Sequence, residues 1–279
     1  MSSQSNPIPT TNAEWDTLIT QIQSSLPTTY PTYAVPPTLN QTIDHTQLSP
    51  TATQADIDTL CTEALTHNFA TVCVRLPHVP RALHNLTTAS SAPSSSVSAA
   101  NKPGIACVIS FPEGTSPPTE KAREARAAIQ AGATELDMVM NYPLLKAGQY
   151  SAVYEDLRAV RAAAPGSVVA LKVILETAQL GPSEIVAGSV IACLSGAEFI
   201  KTSTGFNGAG ARVEDVRVMR AVAEILGLGT RVKASGGVRS AGACRDMLSA
   251  GAHRIGSSSG VSIMLDSGEN RGEEEGQTY

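Results

Sequence analysis

Lysine is scarce in this chain, with six residues against fourteen arginines among 279. Scarcity makes the position of each one informative. Cysteine is also sparse. Cys61, Cys73, Cys107, Cys193 and Cys244 are scattered, odd in number and free of CxxC spacing. That pattern excludes a disulfide or zinc framework and predicts reduced thiols in a cytoplasmic protein. No apolar run reaches the roughly 18 residues of a membrane-spanning helix, so no membrane partner is expected. The opening "MSSQSNPIPTTNAEWD" has no basic segment followed by an apolar one, so no signal peptide is expected. There is no positive excess, since the net charge is −5, and nucleic acid is not expected as a partner. HxH, HExxH and clustered His/Cys sets are missing too, and neither metal nor cofactor is expected.

What is present is a large core and a repeat. Hydrophobic residues make up 42% of the chain, enough for one sizeable domain. Short β-branched runs occur at 42–46, 70–76, 105–112, 134–141, 168–176, 198–204, 231–236 and 253–258. Ala-rich, charge-bearing helical stretches lie between them at 53–67, 117–131, 150–163, 182–194, 212–226 and 239–250. Gly132, Gly196 and Gly251 follow three of these stretches as left-handed helix stops. Eight strands alternating with helices predict parallel strands and right-handed crossovers, closed most economically as an α/β fold of the (β/α)8 barrel type. An open doubly wound sheet is the alternative, but no GxGxxG follows the first strand. The barrel is expected over 40–265. Residues 1–39 read as an appended arm with a short helix whose face carries Trp15, Leu18 and Ile22. The Ser/Ala-rich 87–103 reads as a surface loop, and 266–279 as a flexible acidic tail.

Barrel chemistry belongs at the C-terminal ends of the strands. Lys102, Lys121 and Lys146 stand in polar surroundings, but Lys172, Lys201 and Lys233 lie inside or at the end of apolar runs. With Asp137 they form a series spaced by 35, 29 and 32 residues, about one βα unit each. Four neighbouring strands therefore each bring one ionisable group to roughly the same height, and Asp44 joins from the first strand. A purely structural ion network would be an expensive way to fill a core. The functional reading assigns Lys201 as a nucleophile. Burial and the like charge of Lys233 would depress its pKa, and the neutral amine would attack an aldehyde or ketone to form a Schiff base. Asp137 would shuttle protons, with Lys172 keeping it ionised.

The turns "STG" (203–205), "SGG" (235–237) and "GSSSG" (256–260) follow strands six, seven and eight. Glycine lets backbone N–H groups approach an anion, and loops after strands seven and eight commonly hold phosphate in barrels. A small phosphorylated substrate is the expected partner. A phosphate-binding barrel isomerase or synthase that uses the lysines only as charges remains the alternative.

"IKTSTGF" (200–206), "VKASGGVR" (232–239) and "ELDMVMN" (135–141) together resemble the deoxyribose-phosphate aldolases, a class I (Schiff-base) lyase family. "IDHTQL" (43–48), "LKVILET" (171–177) and "RIGSSSGVSIM" (254–264) are similar as well, so the resemblance covers about residues 40 to 265. It implies that Lys201 is the Schiff-base lysine, Lys233 the lysine that perturbs it and Asp137 the proton relay. Asp44 would face substrate hydroxyls, with Lys172 in support. Gly205, Gly236, Gly237, Ser258 and Ser259 would bind phosphate. Phe206 stands where some members carry a phosphate-holding lysine. Cys73 matches a cysteine that some members expose to aldehydes, and a C-terminal tyrosine, here Tyr279, folds over the site in some. The implied reaction is reversible cleavage of 2-deoxy-D-ribose 5-phosphate in deoxyribonucleotide catabolism. A homodimer or homotetramer is implied, with no sequence face marking the interface.

Overall fold

A short β-branched run buries both faces only if helices cover one side and other strands the other, and the chain meets that demand eight times. The computed structural model describes residues 8–90, 102–166 and 168–268. The strands are β1 (Ile43–Thr46), β2 (Thr71–Val74), β3 (Gly104–Ile109), β4 (Glu135–Val139), β5 (Ala170–Ile174), β6 (Phe199–Lys201), β7 (Arg231–Ser235) and β8 (Arg254–Ser257). They pair in parallel in chain order, and β8 returns to pair with β1. The fold is the expected (β/α)8 barrel, and the open sheet is excluded.

The helices are α1 (Asn12–Ser24), α2 (Gln54–Thr66), α3 (Val79–Ser90), α4 (Pro118–Ala131), α5 (Tyr142–Lys146), α6 (Tyr150–Ala163), α7 (Pro182–Leu194), α8 (Val213–Leu226), α9 (Ala241–Ser249) and α10 (Gly260–Ser267). Thr11 with Glu14 and Thr53 with Asp56 form reciprocal caps that fix where α1 and α2 start. Gly132 ends α4 at φ +110°, as its position predicts. Three helices escape the periodicity. α3 runs into the Thr/Ser-rich segment, so residues 87–90 of the expected loop are helical, and 91–101 lie outside the described residues. The short α5 starts on an Asn141 cap, and α10 follows the Gly/Ser turn at once.

Residues 8–39 lie against the barrel. α1 turns Trp15, Ile19 and Ile22 inward against α6, α7 and α8, and Trp15 is fully buried with its ring 5.2 Å from that of Tyr154. Tyr33 is held by Glu224 (2.9 Å) and by the Arg220 guanidinium over its ring. Lys121 corrects the reading of its polar surroundings. It is fully buried between α4 and α6, with Nζ 2.6 Å from Asp156 Oδ2 and 3.0 Å from the Val139 carbonyl at the end of β4. Its partner lies 35 residues away, so local sequence hides the pairing.

The strand register places the ionisable residues. Asp137 stands opposite Lys172, and Lys201 opposite Lys233. On β5 the partner of Lys201 is Ile174, so Lys201 sits two residues nearer the mouth than Lys172. The expectation of one common height is thus replaced by a staggered one, which the strand tilt of a closed barrel requires. β6 also ends at Lys201 rather than Thr204. Main-chain bonds reach as far as Thr202, and side chains join them there: Thr202 Oγ1 accepts from Ser235 N–H at 3.0 Å and Ser235 Oγ donates to the Ser203 carbonyl at 2.5 Å.

Trp15→Ala would leave a cavity between α1 and the barrel. It should cost about 3–5 kcal/mol in urea unfolding. An unchanged midpoint would mean that α1 contributes nothing to the fold's stability.

Candidate active site

The barrel interior holds a buried ionic cluster whose centre is the Asp137 carboxylate. Its Oδ2 is 2.8 Å from Lys201 Nζ and 2.8 Å from Lys233 Nζ. Its Oδ1 is 2.5 Å from Lys172 Nζ. Lys233 also pairs with Asp44 Oδ2, and Asp44 Oδ1 is 2.5 Å from Arg254 Nη1. Lys172 reaches Glu135 at 2.5 Å and Asp44 at 3.6 Å. The structure therefore brings together Asp44, Asp137, Lys172, Lys201 and Lys233 as expected, and adds Glu135 and Arg254. Both additions were legible in principle. Side chains alternate along a strand, so Glu135 shares the inner face with Asp137, and Arg254 shares it with Gly256. That glycine makes room: a Cβ there would lie 2.9 Å from Lys233 Cε.

The three lysines differ in how many carboxylates they touch, and their proton affinities follow. Lys201 touches Asp137 alone. Burial pushes its pKa down, and the charge of Lys233 adds to the fall against the pull of Asp137. Lys233 touches two carboxylates. Burial lowers its pKa, but Asp137 and Asp44 outweigh that and raise it. Lys172 is likewise raised, by Asp137, Glu135 and Asp44 against burial. Burial would raise Asp137 and Asp44, but the surrounding cations hold both well below the usual carboxylate range. Lys233 is therefore a lasting cation, and Lys201 is the amine able to lose its proton. Cys73 is fully buried, and burial followed by Asp137 raises its pKa, so its thiol stays protonated.

A cavity of about 440 Å³ opens beside Lys201. Its walls are residues 46–50, 204–206, 235–239 and 256–258. Gly205 (φ +85°), Gly236 (φ +84°), Gly237 and Ser258 all line it, together with the exposed guanidinium-bearing Arg239. Ser259 does not line it. It holds the N-cap position of α10 without a side-chain cap bond, and its N–H donates to Ser257 Oγ at 2.9 Å. Tyr279 lies outside the described residues. Glu176, just past β5, escaped the sequence reading. It sits at φ +61° and anchors the 204–207 turn, accepting from Thr204 N–H at 3.1 Å and from the Thr204 hydroxyl at 2.5 Å. At the mouth, the Arg75 guanidinium lies 5.2 Å from the Phe111 ring and 5.9 Å from that of Phe206. A larger hollow of about 860 Å³ lies at the opposite end of the barrel against α1, but Glu198 is the one charged residue in its walls. The chemistry belongs to the smaller cavity. Among the described residues no group of three or more His, Cys, Asp or Glu side chains could hold a metal ion.

Comparison with known proteins agrees with this geometry. The family model described as DeoC/LacD family aldolase matches residues 38–267. A deoxyribose-phosphate aldolase from Coccidioides immitis (strain RS) is 48% identical over 257 residues, covering 91% of each chain. A crystal structure from Coccidioides immitis, also 48% identical, superposes with a TM-score of 0.84 over 94% of this chain and 98% of that one. The deoxyribose phosphate aldolase of Aeropyrum pernix, described as having a unique tetrameric structure, is 31% identical with a TM-score of 0.69, over 81% of this chain and 89% of its own.

Removing the central carboxylate leaves Lys201 unpaired and takes one partner each from Lys172 and Lys233. Asp137→Asn should lower stability at pH 7 by about 3–5 kcal/mol. The deficit should shrink in alkaline urea titrations, where the orphaned lysines can shed protons. A variant as stable as the parent at pH 7 would show that Asp137 does not hold the cluster.

Proposed function

The chain belongs to the DeoC/LacD aldolase family, and on that premise we propose that it is a class I aldolase acting on 2-deoxy-D-ribose 5-phosphate. It cleaves this sugar reversibly to acetaldehyde and D-glyceraldehyde 3-phosphate, as a step of deoxyribonucleotide catabolism in the cytoplasm. One observation carries the reading: of the three lysines in the cluster, Lys201 alone has a single carboxylate contact, and it opens on a cavity walled by Gly/Ser turns. The isomerase or synthase alternative is not favoured, because the relatives are aldolases.

The neutral Lys201 amine adds to the C1 aldehyde of the open-chain sugar. Loss of water gives a protonated imine. A base then takes the proton of the C3 hydroxyl, the C2–C3 bond breaks and its electron pair moves into the imine. Glyceraldehyde 3-phosphate leaves, and an enamine stays on Lys201. Protonation at C2 and hydrolysis release acetaldehyde and restore the amine. Asp137, 2.8 Å from Lys201, is placed to pass protons in these steps, while Lys233 and Lys172 hold it ionised. Asp44 orients substrate hydroxyls. The phosphate rests on backbone N–H groups of the turns at Gly205, Gly236, Gly237 and Ser258, with Ser259 behind them and Arg239 at the lip. The catalytic unit is 40–265, with 1–39 as an arm. Among the described residues no helix is long and apolar enough to cross a membrane. The assembly is a homodimer or homotetramer, consistent with the tetramer described for the Aeropyrum pernix protein.

Incubation with acetaldehyde and borohydride should leave an N-ethyl adduct on Lys201, absent from Lys201→Leu. No adduct at any pH near neutral would sink the Schiff-base reading. Lys233→Leu should slow trapping at neutral pH, since Lys201 would hold its proton more tightly.

The phosphate cradle has its own test. A Cβ on Gly236 would lie 2.9 Å from the Gly210 Cα, on a backbone at φ +84°. Gly236→Ala should raise KM for the phosphorylated sugar about tenfold. Trapping of acetaldehyde, which has no phosphate, should be unaffected. Loss of trapping in step with KM would place Gly236 in the lysine chemistry instead.

A further inference from the structure

The floor of the ionic cluster has no part in the chemistry above. Arg254 enters from the start of β8 and Glu135 from the start of β4. Arg254 Nη1 spans Asp44 Oδ1 at 2.5 Å and Glu135 Oε2 at 3.5 Å, and Glu135 Oε2 is 2.5 Å from Lys172 Nζ. The Phe199 ring closes the layer, with the Arg254 guanidinium 5.4 Å and the Arg231 guanidinium 4.0 Å from its centre.

Four cations (Lys172, Lys201, Lys233, Arg254) are in contact with three carboxylates (Asp44, Asp137, Glu135). Fully charged, the cluster carries one surplus positive charge in a buried site, and an uncompensated buried charge is strongly disfavoured. One proton has to be held weakly. Arg254 cannot give it up, because a guanidinium does not deprotonate in proteins. Glu135 gives Lys172 a carboxylate beyond Asp137, and Asp44 does the same for Lys233. Lys201 alone is left with one.

We propose that Glu135 and Arg254 are positioning residues that keep the cluster at one surplus positive charge and steer that surplus onto Lys201. This rests on Lys201 being the nucleophile. The other groups around Lys201 make no ion pair with the cluster. β2 brings Cys73, a protonated thiol, and β3 carries no Asp, Glu, Lys, Arg or His. Glu176, past the end of β5, is bonded to Thr204 and makes no ion pair with a cluster cation, although the charge of Lys201 works against the burial that raises its pKa. Arg231 on β7 lies beyond Phe199 at the exposed foot of the barrel.

The test is the pH profile of borohydride trapping with acetaldehyde, read as the pH of half-maximal adduct formation on Lys201. Arg254→Met removes the surplus, so Lys201 should keep its proton and the midpoint should rise by about one pH unit. Glu135→Gln adds a second surplus charge and should lower the midpoint by a similar amount, about one unit. The double variant restores the count and should return to within about half a unit of the parent. Arg254→Lys keeps the charge and should not move the midpoint. Should Arg254→Met fail to fold, Glu135→Gln measured against Arg254→Lys decides: a fall in the first alone supports the proposal, and equal midpoints overturn it. Arg254→Met and Glu135→Gln midpoints that stay in place, or that move in the same direction, also overturn it. Those results are distinct from failure of the aldolase reading, in which the parent protein itself forms no adduct on Lys201.

Discussion

Asp137 offers two oxygens to three ammonium groups, and the arrangement of the barrel interior follows from that shortage. One carboxylate cannot fully compensate three cations, so the neighbouring anions decide which lysines remain charged. Asp44 and Glu135 serve Lys233 and Lys172. What remains for Lys201 is a shared oxygen, full burial and a permanent cation as neighbour. A lysine in water would be ammonium at neutral pH, and this one is moved away from that state by its surroundings alone.

The fold makes the shortage possible because a barrel interior can hold charge that an ordinary core could not. Alternate strands contribute the inward residues of each layer, and eight strands converge on one axis. The stagger between strands sets Lys201 two residues above Lys172, nearer the cavity. Lys201 lines the cavity, while Lys172 and Lys233 do not. The lysine with the weakest claim on its proton is thus also the one a substrate can reach. Small residues complete the arrangement. Gly256 leaves the volume that Lys233 occupies, and Gly210 lets its loop approach the carbonyl of Gly236, where a Cβ would come within 2.4 Å.

The sequence made the lysine series plain because a charged residue in a β-branched run breaks an otherwise apolar pattern, and because its spacing equals the crossover length. Glu135 and Arg254 break the same pattern but stand at strand starts, where charge is ordinary, so only the alternation of faces distinguishes them. Lys121 was misleading for a different reason. Its neighbours Thr119, Glu120 and Arg123 are polar, but its own side chain turns toward Asp156 on a distant helix. The Gly/Ser turns pointed correctly to the cavity wall at Gly205, Gly236, Gly237 and Ser258. One residue further on, Ser259 has left the cavity wall and stands at the start of α10. Periodicity gives the face of an element reliably, but the residue at which an element stops depends on side-chain bonds such as those of Thr202 and Ser235, made between segments far apart in the chain.

The surplus charge also bears on the step after imine formation. A protonated imine on Lys201 carries the same positive charge as the ammonium it replaces, within the same buried cluster. An environment that disfavours the ammonium disfavours this cation too. Collapse to the neutral enamine removes the charge, and that collapse is the electron flow that breaks the C2–C3 bond. The two demands on the lysine therefore agree. Making it a better nucleophile in the free enzyme and making its imine a better electron sink are one electrostatic condition, set by the number of carboxylates within reach. A fourth carboxylate in contact with Lys201 would weaken both, by holding the amine as ammonium and by stabilising the imine as a cation.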